Sequence, residues 1–334
     1  MPALSLTDIS AAFKNASICV RVPELKRGHV CVSKGIIECY SGNYGAVFKY
    51  SINGTIRALR VWTKDISILP ELPRRAQEVS LSLSTIQSPY LAHFCYHPDG
   101  ILVAGSVYPL VEMEWCMGQN LKDFINANLG NKSKLNSIRI EFLNAIKFFH
   151  SIGLSHGDLQ HGNIIISSTN SIKFIDYDSI YLPSYGNKCI EIIKGLPDYQ
   201  HPGRVRNQYM NSKVDYFSEL IIYLTIAAVI ESPKLWEKYN VASRDYSLLF
   251  DANDFDNFEN SPIYKDLMNL GSSIKELTSV LSLYLNEKDI SKLSPFYFLV
   301  SHMNPDNSRY CIRCGHKFQT EDEYCTICGR KRYL

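Results

Sequence analysis

The chain lacks most of the features that direct a protein to a membrane, a polyanion or an oxidising compartment. No charged stretch followed by an apolar run opens the sequence, so no secretory leader is expected. The longest apolar run, Leu220–Ile230, is too short to span a bilayer and predicts a buried helix, with no membrane partner. Thirty-five Lys and Arg against 33 Asp and Glu leave a net charge of +2, so no bulk attraction to polyanions arises. Six of the ten cysteines (Cys19, Cys31, Cys39, Cys95, Cys116 and Cys189) are scattered without a pairing pattern, which fits reduced thiols and a cytoplasmic location. What the chain does have is length and core: 334 residues, 46% of them hydrophobic, suggest two domains, or one large bilobal domain with an appendage.

Residues 1–36 carry no motif beyond a short amphipathic helix near Leu6–Phe13 and read as an N-terminal extension. From Gly35 to Trp62 the pattern is strand-like, with a hairpin turn at Asn53-Gly54. Pro70 and Pro73 are expected to break the chain before a helix over roughly Arg74–Ile86. Strands are expected around Leu91–Tyr96 and Ile101–Met113, with Asp99-Gly100 as the turn between them. Beyond Gly118 helix takes over, and Ile138, Phe142, Ala145, Ile146 and Phe149 recur at helical spacing to give one apolar face. That helix is expected to end near Gly153. Asn163–Ser167 and Ile172–Ile175 read as a short hairpin, and the chain from Val214 is mostly helical. The fold class is therefore α+β, with a β-rich first third and an α-rich remainder.

The chemistry is concentrated between. Ser155-His156-Gly157-Asp158-Leu159-Gln160-His161-Gly162-Asn163 is followed by Asp176-Tyr177-Asp178. A lone Asp, an Asn five residues on and a second Asp thirteen beyond that supply what phosphoryl transfer from ATP needs: a carboxylate to orient the attacking hydroxyl, and an amide and a carboxylate to hold Mg²⁺. The run resembles the H-R-D-x-x-x-x-N catalytic loop and D-F-G magnesium loop of eukaryotic-type protein kinases, with Gly157 for the Arg and Asp178 for the Gly. The resemblance covers about 37–300 and implies a bilobal kinase fold, an N-lobe with hinge over 37–116, a C-lobe over 117–300 and a nucleotide between the lobes. It makes Asp158 the base, and Asn163 and Asp176 the magnesium ligands.

Other segments extend the likeness. Tyr40-Ser41-Gly42-Asn43-Tyr44-Gly45-Ala46-Val47 is similar to the glycine-rich phosphate loop, which implies that Gly42, Tyr44, Gly45 and Val47 meet the nucleotide; two glycines in a hairpin also read as a plain turn. Ala58-Leu59-Arg60-Val61 is similar to the V-A-I-K strand, so Ala58 would line the pocket and Arg60 would replace the phosphate-clamping Lys. Glu78 has the spacing of that cation's helical partner, and reads equally as a solvated surface Glu. Met113-Glu114-Trp115-Cys116 resembles the hinge, with Met113 gating the pocket and the backbone near Glu114 and Cys116 facing adenine. Gly195 to Gly203 resembles the end of an activation segment, Gly203 replacing the final Glu. Asp215 would anchor the catalytic loop's backbone, and with His156 belong to the scaffold.

A polar stretch, 301–308, reads as a linker into 309–334. There Cys311-Ile312-Arg313-Cys314-Gly315 and Cys325-Thr326-Ile327-Cys328-Gly329 form two C-x-x-C-G knuckles. Cys311, Cys314, Cys325 and Cys328 can close a tetrahedral Zn²⁺ shell, and the pattern resembles a zinc ribbon; disulfides are the alternative. Nearby cations such as Lys317 and Arg330 could meet nucleic acid, but protein docking is the preferred role.

The implied activity is an ATP- and Mg²⁺-dependent serine/threonine protein kinase of bacterial style, acting on a protein substrate. The whole pattern is similar to the kinase of a tellurite-resistance-associated phosphorylation triad, whose partners are a phosphatase and a von Willebrand-type adaptor. Two alternatives stay open. One is a pseudokinase scaffold, favoured by Arg60, Gln160, Asp178 and Gly203. The other is a small-molecule kinase, because His156-Gly157-Asp158 is equally similar to the H-G-D loop of aminoglycoside and choline kinases.

Overall fold

A computed structural model describes residues 3–300 apart from 43, 69, 192, 193 and 207, together with 318, 319, 322–327 and 329. The chain divides into two compact units. The first runs to Met117 and takes in Lys173–Asp178. It opens with helix α1 (Leu6–Lys14), whose N-terminus is capped by the Ser5 side chain accepting the Asp8 N–H. Six strands follow in one antiparallel sheet: β1 (His29–Val30), β2 (Cys39–Ser41), β3 (Gly45–Ile52), β4 (Thr55–Trp62), β5 (Phe94–Val103) and β6 (Ser106–Glu114). The order is β1-β3-β4-β6-β5, with β2 also paired to β3. Helix α2 (Glu71–Ser84) lies between β4 and β5 in the chain.

Strand alternation sorts the sheet's two faces. Ala46, Phe48 and Tyr50 of β3 and Leu59 and Val61 of β4 are buried with Ile101 and Leu110 in one core cluster. The other side of that cluster is made by Ile9, Phe13, Val20 and Leu25. The motif-free first residues are thus the roof of the sheet. Phe13 packs 4.7 Å from Phe48 between ring centroids, and the Tyr50 hydroxyl donates to the Leu25 carbonyl at 2.6 Å.

Asn53 and Gly54 take φ of 48° and 76°, the left-handed pair a two-residue hairpin requires. The turn expected at Asp99-Gly100 is instead a bulge inside β5, between His97 and Ile101. A Cβ on Gly100 would collide with Leu110, so the glycine serves close strand approach, and Pro98 sits at the bulge, where the missing N–H is tolerated. The chain reverses later, at Ala104 and Gly105, with φ of 47° and 82°. Helix α2 likewise begins earlier than expected. Pro73 lies in its first turn, where no intrahelical bond needs its N–H.

The second unit takes Gly118–Ile172 and the chain from Ser179. Strand β7 (Gln119–Asn120) pairs antiparallel with β8 (Ile164–Ile166). Between them in the chain, α3 (Lys132–Ser151) buries Ile138, Phe142, Ala145, Ile146 and Phe149, the face their spacing predicts, and Leu135 one turn earlier. It stops before Gly153, at φ 67°. Helix α4 (Tyr216–Glu231) is buried on every side from Tyr216 to Val229, and α5 (Ser272–Asn286) packs against it. The Leu220–Ile230 run is therefore core, and no described helix is long and apolar enough to cross a membrane.

Candidate active site

In the first unit, the face of the sheet opposite the roof carries the residues matched to nucleotide binding. Register places Val47 opposite Arg60 on β3 and β4, and Ala58 opposite Met113 on β4 and β6, so all four project to one side. At the end of the β3 hairpin the Gly42 N–H donates to the Gly45 carbonyl at 2.8 Å. A Cβ on Gly45 would stand 2.7 Å from the Val61 carbonyl and 3.3 Å from Arg60 Nε, so only glycine fits against β4 there. Asn43 lies outside the described residues. The Tyr44 carbonyl accepts the Thr63 N–H at 2.9 Å. Tyr40, standing where the family has its first glycine, sets its ring 5.7 Å from Trp115, and Lys49 lies 5.3 Å over the same indole.

After Met113, Glu114 is tied on both sides. Its backbone N–H donates to the His93 carbonyl at 3.0 Å, and its carboxylate pairs with Lys173 at 2.7 Å. The Cys116 thiol is pushed up to about 12 by burial and then by the neighbouring Glu114 charge. It stays protonated and offers no nucleophile.

Arg60 on this face is buried. Its Nη1 and Nη2 donate separately to the two carboxylate oxygens of Asp178, a forked pair, and Asp176 Oδ1 lies 3.7 Å from Nη1. Burial disfavours its charge, but the Asp178 carboxylate and then Asp176 outweigh that and hold its pKa above the ordinary value. The two departures from the family's letters, Arg for Lys and Asp for Gly, are thus partners of each other. Glu78 does not take the role its spacing offered. Helix α2 turns Leu72, Ala76 and Val79 inward, and Glu78 faces the exposed Arg74 at 3.5 Å.

The segment Asp176-Tyr177-Asp178 is pinned on both sides of Asp176. The Tyr177 hydroxyl accepts the Ala92 N–H at 2.7 Å and donates to the Phe174 carbonyl at 2.6 Å, with its ring 5.8 Å from Phe94. Asp178 is held by Arg60. Asp176 between them has φ of 66°, a left-handed backbone that costs a non-glycine residue about 1 kcal/mol, and its side chain is 50% exposed. A strained carboxylate kept half in solvent beside a buried guanidinium fits the binding of a hard cation with phosphate.

In the second unit, the Asp215 carboxylate accepts the backbone N–H of His156 and of Gly157, the latter at 3.0 Å. The catalytic loop is anchored by that carboxylate, and Ser155 adds a bond from its hydroxyl to the Ser212 carbonyl at 2.7 Å. Gly157 has φ of 79°, and a Cβ there would collide with the Ser179 carbonyl. The family's arginine cannot be built on this backbone. The Asn163 amide donates to the Asp158 carbonyl at 2.8 Å and to its carboxylate at 3.3 Å. Asp158 Oδ1 is buried with no hydrogen-bond partner among the described residues. Burial raises the Asp158 pKa, against the opposing effects of His156, Asn163 and Arg204. An unpartnered, burial-shifted carboxylate oxygen is equipped to accept a proton from an incoming hydroxyl. Gln160 turns its side chain back to the Gly162 N–H at 3.1 Å.

Of the four knuckle cysteines, Cys311, Cys314 and Cys328 lie outside the described residues. Cys325 is buried, and the Gly329 N–H bonds its carbonyl at 2.8 Å with Gly329 at φ 70°, the tight turn a C-x-x-C-G knuckle needs. Among the described residues no group of three or more ligand side chains gathers.

The protein kinase domain family model matches residues 41–291. The chain belongs to that family. It is 24% identical over 169 residues to the serine/threonine-protein kinase ste20 of Aspergillus fumigatus, covering 49% of this chain and 20% of that protein. It is 30% identical over 192 residues to the mitosis inhibitor protein kinase SWE1 of Candida albicans, 57% of this chain and 15% of the other. It is 26% identical over 118 residues to the probable serine/threonine-protein kinase PknB of Bifidobacterium longum, 33% and 16% of the two. The chain thus spans a fifth or less of the length of these relatives.

The forked pair sets a stability order. Asp178→Ala strands the buried Arg60 guanidinium and should destabilise the chain by about 3 kcal/mol. Glu78→Ala, which loses only an exposed pair, should cost less than about 0.5 kcal/mol. Denaturant unfolding of both variants checks this; the reverse order would contradict the assignment of Arg60's partner.

Proposed function

We propose that this chain is an ATP- and Mg²⁺-dependent protein serine/threonine kinase. The observation that carries the reading is Asp176, held in strained backbone with its carboxylate half exposed beside Arg60. A scaffold with no chemistry to perform has no use for that strain. In this reading Asp158 accepts the proton of the substrate hydroxyl as its oxygen attacks the γ-phosphorus. The bond to the bridging oxygen breaks, and ADP leaves with the electron pair. Asn163 and Asp176 each contribute a ligand to Mg²⁺, which when bound neutralises triphosphate charge. Arg60 spends two of its five N–H donors on Asp178, so three remain for phosphate oxygens. Val47, Ala58 and Met113 give an apolar wall for the base, the Glu114 and Cys116 backbone its hydrogen bonds, and Gly42, Tyr44 and Gly45 the cover over the phosphates.

A protein rather than small-molecule acceptor is supported by the family match, which runs on through Pro202 and Asp215. A bacterial signalling setting, a cytoplasmic location and a von Willebrand-type adaptor and a phosphatase as partners belong to this reading through the sequence pattern alone; a probable serine/threonine kinase of Bifidobacterium longum is among the relatives. Gln160, which caps its own turn where the family has a phosphate-directed Lys, favours the alternative of an ATP-binding scaffold. Transfer of label from γ-labelled ATP to a generic acceptor protein separates the two. Asp176→Ala should abolish transfer with the fold intact, and Asp158→Ala should slow it by roughly 10²–10⁴. Unchanged transfer in Asp176→Ala would sink the kinase reading.

We also propose that 301–308 is a linker and that 309–334 is a zinc ribbon closed by Cys311, Cys314, Cys325 and Cys328, serving protein docking. So short a unit has too little core of its own, so the metal would supply its folding energy. Metal analysis should find one zinc per chain, lost in Cys311→Ser/Cys325→Ser with transfer to a generic acceptor retained. Protein purified without chelator and free of zinc would contradict it.

A further inference from the structure

The catalytic loop has no arginine of its own, yet a guanidinium reaches it. Arg204, next in sequence to Gly203, has 1% of its side chain exposed. Its Nη2 donates to the Gly157 carbonyl at 2.6 Å, at the very residue that replaces the family's arginine. Its Nε donates to Glu191 Oε1 at 2.7 Å, and its Nη1 to Gln200 Oε1. The Glu191 side chain is also 1% exposed, so the pair is sealed from water. Lys194 stands 3.7 Å from the second Glu191 oxygen and donates to the Arg204 and Val205 carbonyls at 3.0 and 2.8 Å. Around the pair the backbone is cross-linked, Glu191 N–H to Gln208 carbonyl at 3.0 Å and Met210 N–H to Cys189 carbonyl at 2.8 Å.

A segment of this kind is ordered in other switches when a phosphate arrives and pairs with arginine. Here a carboxylate already occupies the arginine, and the guanidinium already holds the catalytic loop. Resting on the kinase reading above, we infer that Arg204 is a positioning residue for the catalytic loop, standing in from the far end of the segment for the arginine missing at Gly157, and that Glu191 stands in for the phosphate. Glu191 is part of the sequence and needs no modifying enzyme to install it, so the segment is set without phosphorylation. Gly203 fits the same account: a Cβ there would collide with the Lys288 carbonyl, so the acidic residue that would otherwise follow Pro202 has no room. The ion pair has moved from Gly203 to Arg204 with Glu191.

A buried pair can serve structure alone, and the test must separate that from positioning. Three full-length variants do so: Glu191→Gln, Arg204→Lys and the neutral double Glu191→Gln/Arg204→Gln. Each is assayed for kcat, for KM of ATP, for unfolding midpoint and for hydrogen exchange of amides 155–158 and 189–191. Each single substitution should lower kcat tenfold or more with KM for ATP within about twofold, and speed exchange in both segments. The double removes both buried charges and should regain the wild-type midpoint, because neutral replacement of such pairs is often harmless to stability. Its kcat should nevertheless stay low. Phosphatase treatment of the wild type should leave its rate unchanged. Recovery of kcat together with stability in the double would reduce the pair to a structural role and overturn the inference, as would unchanged kcat in both singles. If the wild type transfers no phosphate, the kinase reading fails by itself, and exchange at 155–158 still decides: unchanged exchange in Glu191→Gln overturns the positioning of the loop, faster exchange upholds it.

Discussion

The forked ion pair between Arg60 and Asp178 is the constraint around which the sheet face opposite the roof is arranged. A guanidinium buried on a sheet cannot stay charged there without a partner of matching geometry. Asp178 provides one and, by doing so, fixes the loop that presents Asp176. Each residue alone looks like decay from a family pattern. Together they are one exchange: where the family pattern pairs an ammonium with a helix glutamate, this chain pairs a guanidinium with Asp178. Helix α2 is released from that duty, which is why Glu78 can face Arg74 and solvent.

The same logic of displaced partners governs the second unit. The catalytic loop runs with Gly157 in left-handed backbone against the Ser179 carbonyl, and no side chain fits. Its buried backbone groups must still be met. Asp215 takes the two amides and Arg204 takes the carbonyl, so the loop is held from helix α4 and from the segment before it. Asp158 is left with one buried oxygen unsatisfied among the described residues, the feature that most resembles readiness for chemistry.

Local signals in the sequence were legible where the physics is local. Asn53-Gly54 names its turn because few residues accept two left-handed conformations, and the stripe from Ile138 to Phe149 names α3 because burial follows helical period. Asp215 was legible through its resemblance to the start of a kinase helix, and its carboxylate does hold the loop; the roles read from the spacing of Asp158, Asn163 and Asp176 belong to the proposed function. Non-local pairings were not legible. Asp99-Gly100 has turn composition, but the close approach of Leu110 that makes it a bulge lies ten residues away. The roof role of the first 36 residues depends on which sheet face lacks a cover, and sequence does not state that. Arg204 has the composition of a surface residue, and only its burial beside Glu191 and Gly157 reveals it. Arg60 and Asp178 were both singled out, but as separate anomalies, because 118 residues of chain separate them.

The central claim is that Arg60 and Asp178 work as a unit in a competent enzyme. The most direct test is a double-mutant cycle on phosphoryl transfer with Arg60→Lys, Asp178→Gly and both together. The account predicts that each single substitution slows transfer, and that the double is at least tenfold faster than the product of the two losses implies, a coupling of about 1.4 kcal/mol or more. Losses that simply multiply, or a tenfold gain from Arg60→Lys alone, would contradict it.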